Sequence, residues 1–173
     1  LAGDGDLQEP IALGSSSLAG HWKLSNLIMF YDKNDIQIAG KTSRVDSTDY
    51  AKLYKSMGWH VQEIDGHNHS EIRKSIKNAQ SSKLPSIIIG KTTIAKGSYS
   101  LENNPKSHGA PFSEEEIKLT KNKLGLPQES FFCNEDILNH FQRNFNPLKD
   151  RVKALDKTFK NISRNYKEMI NSL

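Results

Sequence analysis

Two side chains near the start of the sequence, Asp4 and Asn34, have the types and the spacing of a metal site. Asp4 lies between Gly3 and Gly5, and Asn34 follows the apolar run at residues 27–30, thirty positions after Asp4. A carboxylate and an amide supply the hard oxygen ligands that Mg²⁺ and Ca²⁺ prefer. Because a turn glycine lets a phosphate approach backbone N–H groups, the same stretch also suits a diphosphate. The pattern therefore predicts a metal-bridged diphosphate site.

The local sequence predicts how these two residues are brought together. Residues 1–2 are typical of a strand end, residues 3–5 of a tight turn, and residues 9–20 of a deeply packed crossover helix rich in small residues. Residues 27–31 form a continuous apolar run, which indicates a strand covered on both faces. Consecutive parallel strands place both side chains on the same carboxyl edge of a sheet, where open α/β sheets bind ligands.

The following residues continue this alternation of strands and helices. His67 and His69 lie in a polar turn between two of these elements and are predicted to be exposed. The order indicates an α/β fold, with a mostly parallel sheet flanked by helices and right-handed crossovers. The predicted elements are a helix through 50–57 capped by Asp46 and ended by Gly58, a strand at 59–64, a helix from Ser70, and a doubly buried strand at 86–89.

A loop rich in Gly, Ser, Asn and Pro at residues 97–111 is a second candidate for function. It is longer than packing requires, and such loops often carry functional residues. His108 lies near its end beside Gly109, where a histidine can contact a phosphate or relay a proton. After the loop, Ser113 begins a predicted helix that ends at Gly125.

The C-terminal part of the sequence is predicted to be helical. Asn134 caps a predicted short helix, and a heptad stripe of apolar residues follows at alternating spacings of four and three. The stripe consists of Leu148, Val152, Leu155, Phe159, Ile162, Tyr166, Met169 and Leu173. It indicates an amphipathic helix packed on this domain or on a neighbour, or else a self-standing coiled coil. We expect a partial diphosphate-binding α/β domain at residues 1–145 and an amphipathic helical linker at residues 146–173.

Composition and charge argue against several classes of protein. The 173 residues are 25% charged and 35% apolar, as in soluble globular proteins, and no apolar run approaches the ~20 residues of a membrane span. Seven Lys/Arg and three acids between residues 149 and 173 account for the whole net charge of +4, so nucleic-acid binding is not expected. The single cysteine, Cys133, excludes an intrachain disulfide and a Cys-based zinc site and is expected to be buried. The first residues do not have the pattern of a signal peptide, and we expect a cytoplasmic protein.

Several motifs of this sequence, in this order and spacing, resemble those of the transketolases. The resemblance covers nearly the whole chain to about Phe141 and is weaker in the tail. The motifs are Gly3-Asp4-Gly5-Asp6-Leu7-Gln8-Glu9, Ser16-Ser17-Leu18-Ala19-Gly20-His21-Trp22-Lys23-Leu24, Tyr31-Asp32-Lys33-Asn34, Gly58-Trp59-His60-Val61, Lys91-Thr92-Thr93-Ile94 and Ser107-His108-Gly109-Ala110-Pro111.

The resemblance implies a thiamine diphosphate-binding fold with thiamine diphosphate and a divalent cation, Mg²⁺ or else Ca²⁺ or Mn²⁺, as cofactors. It also implies reversible transfer of a two-carbon ketol group from a ketose phosphate to an aldose phosphate, in the pentose phosphate pathway. By resemblance, the metal ligands are the side chains of Asp4 and Asn34 and the carbonyl of Ile36. Gly5 and His108 approach the diphosphate, His108 also contacts substrate, Ile38 and Ile94 line the cofactor, and Glu9 lies near the subunit interface.

The chain departs from the family pattern at several positions, none of which is a predicted metal ligand. Lys33 stands where the broad cofactor motif has an asparagine, and Gly14 stands where a glutamate is frequent. Pro10, Ala95 and Asn103 stand where glycines are usual.

The resemblance also implies partners. In this family, substrate-handling histidines precede the Gly-Asp-Gly turn, and the glutamate that activates the aminopyrimidine lies in a second domain. Since the site forms between two subunits, the chain is expected to need those segments or a second subunit, as in a homodimer, to act on sugar phosphates.

Two alternatives remain open at this point. One is a related thiamine diphosphate enzyme, either dihydroxyacetone synthase or deoxyxylulose-phosphate synthase; the motifs at residues 18–21 and 107–111 favour transketolase over the latter. The other is an inactive fragment that acts as an assembly module through its heptad helix.

Overall fold

The computed structural model describes residues 1–171, so Leu173, the last predicted member of the stripe, lies outside the described residues. The chain divides into two compact units, the first comprising Leu1–Leu126 and the second beginning at Pro127. The strands are β1 Ile28–Lys33, β2 Ile36–Gln37, β3 Gly40–Lys41, β4 His60–Asp65 and β5 Ser86–Lys91. The helices are α1 Asp4–Gln8, α2 Pro10–His21, α3 Tyr50–Ser56, α4 His69–Ser81, α5 Glu114–Leu124 and α6 Glu135–Asn171, with 3₁₀ turns at Thr42–Arg44 and Pro105–Ser107.

A three-stranded parallel sheet in the order β1-β5-β4 forms the centre of the first unit. Lys33 of β1 and Asp65 of β4 both pair with Lys91 of β5, so the carboxyl ends of all three strands meet at one edge. The predicted α/β class with a parallel sheet is confirmed. A small antiparallel hairpin, β2-β3, follows β1 at that edge.

The start of the chain differs from the predicted tight turn and single helix. Ala2 forms an isolated parallel bridge with Tyr31, which confirms the predicted strand end. The Gly-Asp-Gly stretch then enters a helix at once, because Asp6 accepts a hydrogen bond from the backbone N–H of Gly3 at 2.7 Å. Pro10 opens α2, a position where its missing N–H breaks no helical bond.

The two apolar runs that predict doubly buried strands have different outcomes. In β5 every residue from Ser86 to Gly90 is buried, as predicted. In β1 only Tyr31 is buried, and residues 28–30 are half-buried, so the prediction of full burial is wrong there. The cause is position, because β5 lies between two strands, whereas β1 pairs with β5 on one side and, among the described residues, only with Ala2 on the other.

Helix α2 was predicted to be deeply packed, but only one side of it is buried. Ser16, Ala19 and Gly20 are buried, whereas Ile11 is 77% exposed. Gly20 is packed so closely that a Cβ there would lie 1.8 Å from the carbonyl oxygen of Met57. This contact brings α2 against the end of α3.

Aromatic residues dominate the core between the sheet and these helices. Tyr31 and Tyr50 pack edge to face with ring centroids 5.7 Å apart, and Tyr54 and Trp59 do so at 5.1 Å. The Trp59 Nε1–H donates to the carbonyl of Ser16 at 2.8 Å. This hydrogen bond ties helix α2 to the residue directly before β4.

Helix termini match the sequence in some places and shift in others. Ser113 caps α5 by accepting from the Glu116 N–H, and Gly125 ends it in the left-handed conformation, as predicted. The cap of α3 is Asp49 and not Asp46, which instead accepts from the N–H of Thr48. Helix α4, predicted to start at Ser70, starts one residue earlier at His69 and is capped by Asn68.

The second unit contains one long helix where the sequence predicted a short helix and a separate tail. The helix α6 continues from Glu135 to Asn171 through Pro147, and the stripe residues from Leu148 to Met169 are exposed on it. Cys133 is exposed, so its predicted burial is wrong. A division into domains at residues 145 and 146 stays a prediction. Within residues 1–171, no helix combines the length and the apolarity that a membrane crossing requires.

Candidate metal and diphosphate site

The carboxylate of Asp4 is the central group of the site. Asp4 is only 3% exposed, at the start of α1 beneath the carboxyl end of β1. Its Oδ1 accepts a hydrogen bond from the Tyr31 hydroxyl at 2.7 Å. Its Oδ2 accepts from the backbone N–H groups of Asn34 at 3.2 Å and Asp35 at 3.0 Å. Three donors therefore hold both oxygens at a defined position.

Burial and these hydrogen bonds act on the pKa of Asp4 in opposite directions. Burial raises the pKa of the carboxyl, and the donors Tyr31, Asp35 and Asn34 oppose this by stabilising the anion. The balance leaves the Asp4 pKa above its usual value. Burial and the neighbouring carboxylate also raise the pKa of the Tyr31 hydroxyl, so Tyr31 stays a donor. A cation beside Asp4 would relieve the cost of holding a charge in this buried place.

Asn34 and Ile36 lie in the turn that leads from β1 into β2. The Asn34 side-chain oxygen accepts from the backbone N–H of Ile36 at 3.0 Å, which folds the turn over Asp4. Asp35, between them, adopts a left-handed backbone with φ of 62°. An amide oxygen has two lone pairs, so this contact leaves one of them for a ligand.

The three predicted metal ligands share one cavity of about 480 Å³ at the carboxyl edge of the sheet. Two contacts tie its walls together: Lys91 pairs with Asp35, and the Thr92 hydroxyl donates to Asp32. The cavity is lined by Asp4, Tyr31, Lys33, Asn34, Asp35, Ile36, Lys41, Thr42, Ser43, Asp46, Ser47, Thr48, Tyr50, Lys91, Thr92, Thr93 and Asn103.

The donor set in this cavity fits a hard divalent cation bound together with a phosphate. One carboxylate, one amide oxygen and one backbone carbonyl leave room for phosphate and water oxygens, which Mg²⁺ usually keeps. The described residues 1–171 contain no group of three or more His, Cys, Asp or Glu of the kind that holds a metal by itself. Thr42 adds a side-chain oxygen that is buried and has no hydrogen-bond partner among the described residues. Lys33 and Lys41 line the same space and supply positive charge for a phosphate.

The other predicted site residues do not line this cavity. Gly5 lies within α1, and the nearest atom to a Cβ built on it is Nε2 of Gln37 at 4.0 Å. Glu9 is exposed at the start of α2, and Ile38 is 82% exposed. Ile94 is half-buried, and its carbonyl accepts from the N–H of Asn103 at 2.9 Å.

His108 is the remaining predicted residue, and it too lies outside the cavity lining. It follows the 3₁₀ turn Pro105–Ser107 and is half-buried. Its Nδ1 atom is buried and, within the described part of the chain, has no hydrogen-bond partner. The structure therefore groups Asp4, Asn34 and Ile36, and leaves the roles of Gly5, Glu9, Ile38, Ile94 and His108 as predictions.

Sequence reasoning missed several residues of the site. The sequence predicted no role for Tyr31, although a tyrosine at the end of an apolar strand has a hydroxyl that needs a hydrogen-bond partner. His67 was predicted to be exposed, but it is half-buried and accepts from the backbone N–H of Thr93 at 2.8 Å. Thr42 gave no signal in the sequence, because its burial depends on the β2-β3 hairpin.

An open parallel sheet with a buried carboxylate, an amide and a polar cavity at its carboxyl edge defines a cofactor-binding α/β domain. The protein-family model described as "Transketolase, thiamine diphosphate binding domain" matches residues 1–173. The chain belongs to the transketolase family, as its thiamine diphosphate-binding domain.

Individual relatives support this assignment. The chain is 34% identical over 171 residues to the transketolase of Halalkalibacterium halodurans, covering 98% of this chain and 26% of that protein. The structure of transketolase from Leishmania mexicana is 34% identical in sequence to this chain and matches it with a TM-score of 0.83. The match covers 90% of this chain and 24% of the Leishmania chain. The structure of transketolase from Campylobacter jejuni matches with a TM-score of 0.75 and 43% identity. This match covers 78% of this chain and 21% of the Campylobacter chain. The chain thus spans about a quarter of the length of these relatives.

Proposed function

We propose that this chain holds the diphosphate of thiamine diphosphate and a divalent cation within a transketolase. The complete protein would transfer a two-carbon ketol group reversibly from a ketose phosphate to an aldose phosphate. The observation that carries the proposal is the buried Asp4 carboxylate, which shares one cavity with Asn34 and Ile36 in a chain of this family.

In this proposal Asp4 and Asn34 bind the cation by side-chain oxygens and Ile36 binds it by its carbonyl. The cation is Mg²⁺, or else Ca²⁺ or Mn²⁺, since all of them accept oxygen ligands. Tyr31 holds the Asp4 carboxylate in place through its hydroxyl. Lys33 and Lys41 lie on the cavity wall, where their charge attracts a diphosphate.

Thiamine diphosphate, when bound, supplies the carbon nucleophile of the ketol transfer. The chain's own residues have the tasks of binding and orientation. Gly5 approaches the diphosphate, Ile38 and Ile94 cover the cofactor, and Glu9 contributes near a subunit interface. His108 turns its unpartnered Nδ1 toward the diphosphate or the substrate, since a buried ring nitrogen without a partner is costly.

The proposal includes partners that the chain needs in order to act. Because the chain spans about a quarter of its relatives, the remaining segments would come from the same polypeptide or from a second subunit, as in a homodimer. The substrates would be sugar phosphates, and the site of action the cytoplasm. This chain by itself is expected to bind the cofactor but not to turn over substrate.

A calorimetric titration tests the proposal. Thiamine diphosphate with Mg²⁺ is titrated into the chain alone and into a mixture with the remaining transketolase segments supplied in trans. Heat of binding that requires both cofactor and Mg²⁺ is expected, with thiamine lacking the diphosphate as the control ligand. Absence of binding in the reconstituted mixture would reject the transketolase function and leave an assembly module.

The reconstituted mixture also separates transketolase from related thiamine diphosphate enzymes. Ketol transfer from xylulose 5-phosphate to ribose 5-phosphate is the expected activity. A mixture that binds the cofactor but produces dihydroxyacetone or deoxyxylulose phosphate from the corresponding substrates would assign the chain to one of those enzymes instead.

A further inference from the structure

The segment Lys91-Thr92-Thr93 forms one wall of the cavity that contains Asp4 and Asn34. It consists of the last residue of β5 and the two residues that follow it. Hydrogen bonds from both neighbouring strands hold its backbone. We call the residues that approach it from the end of β4, Asp65, Gly66 and His67, the β4 clamp.

The closest contact of the β4 clamp comes from Gly66. Its N–H donates to the carbonyl of Lys91 at 2.8 Å. A Cβ on Gly66 would lie 2.5 Å from the Thr92 methyl group and 3.0 Å from the Lys91 carbonyl oxygen. Only glycine allows the two strand ends to come this close.

The second contact comes from the imidazole of His67. Its Nε2 lies 2.8 Å from the backbone nitrogen of Thr93, whose N–H is a donor. A ring nitrogen accepts only when it carries no proton, so this contact requires the neutral tautomer with the proton on Nδ1. The hydrogen bond thus defines both the position of Thr93 and the protonation state of His67.

The turn that carries His67 is itself held by hydrogen bonds. The His67 N–H donates to the Asp65 side chain at 2.9 Å, and the Asn68 N–H donates to the Asp65 carbonyl at 3.0 Å. Glu71, in the first turn of α4, accepts from the Asp65 N–H at 3.0 Å. The ring is therefore presented to Thr93 from a rigid support.

The other side of the wall is connected to the metal-ligand turn. The Thr92 N–H donates to the carbonyl of Lys33 at 3.0 Å, and Lys91 pairs with Asp35. Asp35 in turn donates its backbone N–H to Asp4. The wall segment is thus held between the β4 clamp and the turn above Asp4.

We propose that His67 is a positioning residue for the cofactor site, which acts by holding the Thr93 backbone and so the wall of the cavity. The inference rests on the proposed function for the identity of the ligand, thiamine diphosphate. The hydrogen bond between His67 and Thr93 involves no ligand atom and is testable separately. No contact between His67 and a cofactor is part of the proposal.

The first experiment uses NMR on the 173-residue chain without added ligand. The ¹⁵N spectrum of the His67 ring should show the Nδ1–H tautomer, and the Thr93 amide should be protected from exchange. His67→Ala should increase Thr93 exchange about fivefold, as expected for loss of one hydrogen bond. His67→Gln should restore protection, because its side-chain oxygen reaches the same position as Nε2. The exposed His69, two residues later, provides the control His69→Ala, which should leave Thr93 unchanged.

The second experiment titrates thiamine diphosphate and Mg²⁺ into the same variants, reconstituted with the remaining transketolase segments. His67→Ala should weaken binding about tenfold, as outer partners of a metal site do, and His67→Gln should recover most of it. An Nε2–H tautomer, or equal Thr93 exchange in wild type and His67→Ala, would overturn the inference. Equal affinity of His67→Ala and wild type would overturn it as well. If the wild type binds no cofactor, the proposed function fails, while the NMR result still decides whether His67 holds Thr93.

Discussion

Two regions of the first unit are candidates for holding the cofactor, and they differ in how their geometry is set. We call Asp4, Tyr31, Asn34, Asp35 and Ile36 the cation corner. Its polar groups satisfy one another, with Asp4 accepting three hydrogen bonds and Asn34 accepting one. Hydrogen bonds within the chain therefore hold the corner together.

The second region is the β5–α5 loop, residues 92–113, which carries His108. Its Ala95 and Asn103 both have left-handed backbones, with φ of 52° and 55°. The Nδ1 of His108 and the Oγ of Ser98 are buried without partners within the described part of the chain. Helix α5 holds the middle of the loop, where Glu116 accepts from the Ser100 N–H at 2.8 Å and from its hydroxyl at 2.6 Å.

The difference indicates a division of labour within the site. A preorganised cation corner binds with little reorganisation, and this favours affinity. A loop with strained backbone and unpartnered polar groups stores free energy that a ligand can recover on binding. The following variants test this contrast from the largest expected effect to the smallest.

Removal of the Asp4 carboxylate should have the largest effect. Asp4→Ala takes away the one anionic ligand of the proposed cation, and even outer partners of metal sites account for 10–100-fold in affinity. We expect at least about a hundredfold loss of Mg²⁺-dependent thiamine diphosphate affinity by calorimetry. Asp6→Asn is the control: it removes an exposed charge two residues later but keeps an oxygen acceptor for the Gly3 N–H, and it should bind normally. Unchanged affinity in Asp4→Ala would remove Asp4 from the site.

Tyr31→Phe should reduce stability without changing the shape of the core. It removes the hydroxyl that donates to the buried Asp4 carboxylate, and hydrogen bonds to charged groups contribute about 2 kcal/mol. The free energy of unfolding, measured by urea denaturation, should fall by about that amount. Tyr50→Phe removes a comparable hydroxyl whose partner, Asp46, is less buried than Asp4. It should therefore lower the free energy of unfolding by a smaller amount. Equal losses in the two variants would argue against special preorganisation of the cation corner.

Relief of backbone strain should stabilise the β5–α5 loop. Ala95 has φ of 52°, a conformation that glycine adopts without penalty. After the greater chain entropy of glycine is subtracted, Ala95→Gly should raise the free energy of unfolding by about 0.5–1 kcal/mol. Asn103→Gly should raise the free energy of unfolding by a smaller amount, because asparagine tolerates the left-handed conformation. Ala39→Gly, at a position without positive φ, is the control and should lower stability.

The smallest effect should be a local dependence on pH in the β5–α5 loop. Hydrogen bonds from the Ser100 hydroxyl and backbone lower the pKa of Glu116 below its ordinary value of 4.5. The carboxylate therefore stabilises the loop fully above that ordinary pKa, and this stabilisation is lost as pH falls through the lower folded-state pKa. Exchange of the Ser100 amide, corrected for intrinsic rate, should increase severalfold at acid pH. Glu116→Gln should abolish the pH dependence, and a wild-type profile in that variant would assign the effect to another group.

The same kind of sequence signal succeeded in one strand and failed in another. The apolar runs at 86–89 and 27–31 look alike, yet only the first is buried on both faces. Periodicity reports side-chain character along one segment, whereas burial depends on how many strands and helices lie beside it.

For the candidate site, chemistry was more predictable than environment. Asp4 and Asn34 were expected at one sheet edge because parallel strands align their carboxyl ends, and they share a cavity there. The donors that hold Asp4 and the contact of His67 with Thr93 were not predicted. Those contacts join residues 26 to 31 positions apart, and no local pattern records which distant groups meet.

The sequence by itself determined the family and the parallel α/β class, and it predicted the pair of oxygen ligands, because motif spacing and strand order are properties of the chain. Only the tertiary structure decided which of the predicted residues share a cavity, that Tyr31 holds Asp4, and that His67 supports the cavity wall. Hydrogen bonds depend on distances of a few tenths of an ångström between segments far apart in the chain. Such distances are set when the sheet, its hairpin and its helices pack together.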